Sequence, residues 1–238
     1  MAKEKLEKIE KLETVEPVKV EYKGKFAQRL SDFIQKNRIG FLIGLAVVTV
    51  GVIAFSVASG VARVLNTKAI AQVEDFSSRF DVLQIDINNE EKAADVQALL
   101  DELAAFTPKH KNYAGARGFV IMANIYADKS NWVEAEKAWN SAAVAGAGSY
   151  IEPVALYNTA VAIEEQGDLP RAIEFYAKVA NFDFPGAPRS QFAIGRLNES
   201  QNNKDAALEA YRALLDKWPS DQVWPNLAQS RIVSLSVK

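Results

Sequence analysis

The chain has 238 residues, 49% of them hydrophobic and 24% charged, with a formal net charge of −2. That balance excludes a wholly disordered chain, which needs low hydrophobicity and high net charge, and 12 glycines with 8 prolines exclude a collagen-like or low-complexity one. Cysteine is absent, so there is no disulfide framework, thiolate nucleophile or thiolate metal site, and the single histidine, His110, leaves no multi-histidine metal cage. Composition therefore points away from an enzyme and toward a binding or scaffolding protein.

Residues 1–25 alternate lysine and glutamate, with Leu6, Ile9 and Leu12 at helical spacing and Pro17 and Gly24 as interruptions. So short a charged stretch is marginal as an isolated helix and reads as a solvated, mostly disordered arm. Phe26, Leu30, Phe33 and Ile34 then recur at i, i+4, i+7 and i+8, with Arg29 and Lys36 off that stripe, which predicts an amphipathic helix over 26–36. Directly ahead of an apolar run, such a helix suits the membrane interface; a docking helix for a membrane partner is the alternative.

Arg38 and Arg63 bracket 24 residues without a charge. As a helix that run is roughly 36 Å long, enough to cross a hydrocarbon core of about 30 Å with some tilt. A helix is required because lipid offers no partner for backbone N–H and C=O groups, which outweighs the β-branched Val47, Val48, Thr49, Val50 and Ile53. A buried core helix would rarely run so long without one charge. A cleaved signal peptide would have a shorter apolar region behind a shorter start, although Ser56-Val57-Ala58 offers small residues for cleavage. Six cations lie in the 20 residues before the run and three in the 20 from Arg63, so the positive-inside rule sets the N-terminus in the cytoplasm and everything after Arg63 outside. Gly40 and Gly44 form a GxxxG pair, and Ser56 and Gly60 a second small pair, that would let two membrane helices approach closely. The predicted organisation is an arm over 1–37 with its juxtamembrane helix, a transmembrane helix over 38–63 and an extracytoplasmic domain over 64–238.

That last domain carries 17 basic and 23 acidic residues, which argues against a nucleic-acid binder. Apolar residues recur every three or four positions almost throughout, so the domain is predicted to be all-α. The membrane helix continues to about Phe80 on the stripe Ile70, Val73, Phe76 and Phe80. Asn88, with Glu91 three residues on, reads as an N-cap; the helix behind it carries Val96, Leu99, Leu100, Leu103 and Phe106 on one face and stops at Thr107-Pro108. Further helices are predicted over 112–128, over 132–145 behind an Asn131 cap, over 153–166 closed by Gly167, and from an Asp168 cap to about 180 with Pro170 in the first turn. The chain then predicts helices over 189–201, 204–218 and 222–236, with Pro219 between the last two.

Succession of helix–turn–helix pairs invites a search for a period. Ala135, Ala172 and Ala207 lie at intervals of 37 and 35; four residues beyond each is an aromatic (Trp139, Tyr176, Tyr211), and twelve before each is a small residue (Ala123, Ala160, Gly195). Five before each is a turn former: Ser130, Gly167 and Asn202. These positions resemble the tetratricopeptide repeat family, whose pattern sets Leu-Gly and an aromatic on the first helix, Ala and an aromatic on the second, and Pro after it. Ile194-Gly195, Ala207, Tyr211 and Pro219 match well, Gly167, Ala172 and Tyr176 next, and Tyr126, Trp132, Ala135 and Trp139 make a third repeat. Residues 77–108 read as a degenerate repeat with Val96 where Ala is expected, while Asn198 and Ile163 replace the first-helix tyrosine, and Ala147 and Phe184 the proline. The resemblance implies an all-α solenoid of helical hairpins, capped by a last helix carrying Leu227, Ile232 and Leu235, with Trp218 and Trp224 packed near it.

By the same resemblance, the first helix of each pair lines a concave face. The family's groove positions fall here on Arg117, Val120, Asn124 and Ala127, then Val154, Tyr157, Val161 and Glu164, then Arg189, Phe192, Arg196 and Glu199. Arg189 and Arg196 flanking Phe192 would hold an acidic or C-terminal peptide segment; an ordinary solvated face is the alternative. His110 sits in a basic link, Pro108-Lys109-His110-Lys111, with no indicated nucleophile, and reads as a solvent-exposed linker residue. No Walker loop, dinucleotide fingerprint, GxSxG or HExxH is present. No cofactor, metal or catalytic residue is expected.

Arm, N-in span and repeat domain together resemble membrane-anchored periplasmic repeat proteins such as the ancillary subunit family of the bacterial Sec translocon, and the Thr107–Tyr113 link is similar to that group. The resemblance implies a non-covalent scaffold with chaperone-like duties in the cell inner membrane, holding partner proteins or exported chains near the translocon. The same architecture suits a structural subunit of an envelope machine such as the periplasmic collar of a flagellar motor, alone or as a homo-oligomer.

Overall fold

A computed structural model describes residues 24–237. Those residues form ten α-helices and no strand: α1 Lys25–Lys36, α2 Arg38–Gln84, α3 Ala93–Phe106, α4 Tyr113–Asp128, α5 Trp132–Ala145, α6 Ile151–Glu165, α7 Leu169–Ala180, α8 Ala187–Ser200, α9 Lys204–Lys217 and α10 Trp224–Val237. The fold is an all-α solenoid of helical hairpins, and each predicted helix from Tyr113 onward is found within about two residues of its expected ends, while α2 runs four residues past Phe80 and α3 begins only at Ala93. The arm expected over residues 1–23 lies outside the described residues.

The described residues divide into two compact units, 24–62 and 63–237. In the first, α1 carries Phe26, Leu30, Phe33 and Ile34, all exposed, on the stripe expected for an interfacial helix. Asn37 ends it, its side-chain amide donating to the Phe33 carbonyl at 2.9 Å. Phe33 meets Phe41 edge to face, with ring centroids 5.9 Å apart. Residues 39–62 of α2 are uncharged and none of them is buried, and α2 is the one helix among the described residues long and apolar enough to cross a bilayer.

In the second unit, the rest of α2 packs on α3 through Val73, Phe76, Phe80, Val96, Leu99, Leu103 and Phe106. Arg79 adds a two-pronged pair with Glu102, at 2.8 Å on each prong. The interface is filled by large side chains, and Val96 occupies the position where later hairpins have alanine, so these two backbones stand further apart. The expected Asn88 cap is one residue off: Asn89 caps a single 3-10 turn, Glu90–Lys92, by accepting from the Glu91 amide. Asn88 instead reaches the Asp128 carbonyl.

From α4 onward the helices pair as α4/α5, α6/α7 and α8/α9. Each hairpin turns through a residue in the left-handed region: Ser130 (φ 54°), Gly167 (φ 81°) and Asn202 (φ 61°). The side chain of the next residue caps the second helix in two of them, Asn131 accepting from the Glu134 amide and Asp168 from the Arg171 amide. The left-handed residue reverses the chain and the cap satisfies an amide that has no intrahelical partner.

Small residues on the first helix then face the aromatic of the second. Ala123, Ala160 and Gly195 are buried with Trp139, Tyr176 and Tyr211 in successive clusters of the core. The tightest match is Gly195, where an added β-carbon would lie 2.4 Å from the ring of fully buried Tyr211. Helix α10 packs on the last pair through Ala228, Trp224, Ile232 and Leu235, with Trp218 beside them. Leu227, expected on this capping face, is exposed instead.

Alanine at 195 favours a helix by about 1 kcal/mol over glycine, but a rigid buried ring cannot yield to it. Gly195→Ala is expected to destabilise the domain by a net of about 1–3 kcal/mol. Thermal denaturation of the full chain, followed by helical circular dichroism, checks this as a fall of about 2–4 °C in midpoint per kcal/mol.

Candidate functional site

Successive first helices touch through the residues expected to line the concave face. Tyr157 on α6 lies under the guanidinium of Arg189 on α8, at 4.9 Å from the ring centre. Phe192 on α8 meets Trp224 on α10 and Tyr211 on α9, with centroids 5.4 and 5.3 Å apart. Arg117 on α4 reaches Glu74 on α2 at 3.8 Å. Val120, Asn124 and Val161 are each half-buried on their helices, as are Ala127 and Val154.

A polar motif that sequence reasoning missed holds these helices in register. Glu164 on α6 pairs with Arg196 on α8 at 2.8 Å and accepts from the Tyr176 hydroxyl on α7 at 3.0 Å. Glu199 on α8 pairs with Arg231 on α10 and accepts from the Tyr211 hydroxyl on α9 at 3.1 Å. The two triads are one pattern repeated 35 residues on, Glu, then Tyr twelve later, then Arg thirty-two later. The period already legible in the small and aromatic residues could have revealed it. By the same spacing, α10 occupies the place of a first helix in a following hairpin. A simpler pair, Glu136 with Arg171 at 2.5 Å, ties α5 to α7.

The triads fix the charge on this face. Burial would raise the Glu164 carboxyl, but the hydrogen bond and charge of Arg196, with the Tyr176 hydroxyl, hold it below its ordinary value. Burial, reinforced by the neighbouring carboxylates, pushes both hydroxyls up: Tyr176 far above its usual range and Tyr211 to about 12. Arg196, expected to flank Phe192 as a free peptide clamp, is therefore already partnered, and Phe192 is half-buried between two aromatics. Arg189 forms no ion pair among the described residues. A shallow cleft of about 490 Å³ opens between Phe192, Arg196, Ser200 and Arg231.

His110 departs from the solvated linker expected of it. Its ring is half-buried and stacks on Phe106 with centroids 4.1 Å apart, and its Nδ1 lies 2.9 Å from the Phe106 carbonyl. In the first unit, Gly40 and Gly44 line an almost wholly apolar cleft of about 480 Å³ with Phe33, Phe41 and Val48, and nothing packs against either glycine. Among the described residues, no group of three or more His, Asp or Glu is placed to hold a metal ion.

Residues 122–217 match a family described as a domain of unknown function, DUF6340. Over 226 residues the chain is 28% identical to a TPR repeat-containing protein of Treponema pallidum (strain Nichols), covering 88% of this chain and 94% of that one. A crystal structure of kinesin light chain TPR-like repeats from Podosopora anserina aligns with a TM-score of 0.49 at 13% identity, over 68% of this chain and 86% of that one. The helical hairpins of this chain are similar to those of a TPR repeat-containing protein.

The raised tyrosine hydroxyls carry a pH dependence. An unfolded tyrosine ionises near 10, so between pH 10 and about 12 the unfolded chain releases a proton that folded Tyr211 retains. Stability contributed by this hydroxyl is full below pH 10 and is lost as pH rises toward 12. Helical circular dichroism of the full chain is expected to show a melting midpoint falling across that interval, with a shallower fall in Tyr211→Phe.

Proposed function

We propose that the chain is a membrane-tethered scaffold that docks proteins. Residues 39–62 cross the bilayer with the N-terminus in the cytoplasm. The hairpin stack of residues 64–238, outside, holds a partner or a newly exported chain against the face that bears Tyr157, Arg189 and Phe192. The docking is non-covalent and uses no catalytic residue, cofactor or nucleic acid. The observation that carries this reading is Arg189. It is exposed, stacked on Tyr157 and without a carboxylate partner among the described residues, while its neighbours Arg196 and Arg231 are committed to glutamates. A cation held over an aromatic beside half-buried Phe192 suits a peptide that offers a carboxylate next to an apolar side chain.

In the finer form of the proposal, the compartment is the periplasm, the membrane is the inner membrane and the partners gather near the Sec translocon. The similarity to a TPR repeat-containing protein over most of both chains supports protein binding as the activity. The open face at Gly40 and Gly44 is offered as the place where two copies of the span approach.

Two outcomes are expected. The full chain stays with the membrane through alkaline carbonate extraction; its release into the supernatant would remove the span. Arg189→Glu lowers partner recovery in a pull-down at least tenfold, and unchanged recovery discards the groove. Slowed export on deletion supports the translocon form. Intact export with lost motility would reassign the scaffold to an envelope machine such as a flagellar-motor collar.

A further inference from the structure

The link between α3 and α4 builds a basic turn beside an apolar cleft. Thr107–Lys109 form a 3-10 turn. Two glycines seat the turn against α4: a β-carbon at Gly115 would lie 1.6 Å from the His110 carbonyl oxygen, and one at Gly118 would lie 2.8 Å from the Thr107 methyl. Thr107 is buried, and the His110 ring is held on Phe106. The turn is thus a rigid shelf, and it presents Lys109 and Lys111 to solvent.

Beside the shelf is a cleft of about 460 Å³ walled by Pro108, Lys111, Phe119, Ser141, Val144 and Ala145. Its surface is mostly apolar, and Val144 on α5 is 73% exposed beside it. Neither lysine forms an ion pair among the described residues. Between Glu102 and Asp128 the chain has no acidic residue, while residues 64–238 as a whole carry 17 basic and 23 acidic ones. Lys111 lines the cleft and Lys109 stands two residues away on the same link, on a domain of the opposite net charge, so charge complementarity favours an acidic occupant.

We propose that this cleft binds a short acidic peptide segment of a partner protein. One bulky apolar side chain enters the slot against Phe119 and Val144, and flanking carboxylates meet Lys109 and Lys111. This reading does not rest on the concave groove and shares no residue with it.

The test uses the full chain in nanodiscs and a fluorescein-labelled pool of acetylated hexapeptides. Each peptide has Phe, Leu or Trp at one inner position and Asp or Glu elsewhere; a matched pool has Lys in place of the acids. Fluorescence anisotropy is expected to show at least tenfold tighter binding of the acidic pool. Lys109→Glu with Lys111→Glu abolishes that preference, and Val144→Trp, which fills the slot, weakens acidic-pool binding at least fivefold. The exposed control pair Lys129→Glu with Lys204→Glu changes it less than twofold, and an unchanged melting curve confirms that each variant folds. Equal binding of the two pools would overturn the proposal, as would indifference to the shelf or slot substitutions. Displacement of the peptides by dihexanoyl phosphatidylglycerol at equal concentration would assign the shelf to lipid and also overturn it.

Discussion

The stack depends on one steric match, a small residue on the first helix of a hairpin opposite a buried aromatic on the second. Ala123 with Trp139, Ala160 with Tyr176 and Gly195 with Tyr211 repeat it at a fixed separation of sixteen residues. A missing side chain lets two backbones close up, and the ring fills the space that the next hairpin would otherwise leave empty. Where that match is absent, between α2 and α3, Phe76, Phe80, Leu99 and Leu103 fill the interface and the helices stand apart. Close approach in every later pair brings first helices into one row, which is how residues 30 to 40 positions apart come to line a common face.

A polar layer sits over this steric one. Each triad joins three helices at a single carboxylate, so the face that would greet a partner is also where the repeats are cross-linked. Exposed ion pairs stabilise by only about 0.2–1 kcal/mol, and a carboxylate shared between an arginine and a tyrosine hydroxyl contributes mainly geometry. Glu164, Glu199, Arg196 and Arg231 present paired charge, and Arg189 forms no ion pair among the described residues. Net charge along the face is thus a poor guide to what it binds, and the pairing state of each group is the better one.

Much of this was legible in the residues. Apolar periodicity located every helix of the repeat domain, and the intervals of 37 and 35 set hairpin boundaries because small, aromatic and turn residues recur together. The left-handed turns at Ser130, Gly167 and Asn202 follow from the same register. Less was legible where two neighbours carry the same chemistry. Asn88 and Asn89 are both competent caps, and only the backbone path decides between them. The expected groove positions fall on half-buried or exposed residues of first helices, but their partners were not readable, since an arginine's engagement depends on a glutamate thirty-two residues away. Nor was the His110 link readable as a shelf. Its rigidity comes from contacts with Gly115 and Gly118 that require the fold to be known, although its basic character is plain in Pro108-Lys109-His110-Lys111.

Taken together, the apolar first half of α2, the hairpin row and the partly committed charges on its concave face support docking at a membrane as the work of this protein. Photocrosslinking from that face in living cells tests the claim most directly. With a benzoylphenylalanine placed in turn at Asn124, Tyr157 and Arg189, mass spectrometry of the adducts is expected to recover the same protein from neighbouring positions, and not from exposed Lys137 or Lys178 on second helices. Adducts spread equally over both sets of positions, or none from the concave set, would contradict it.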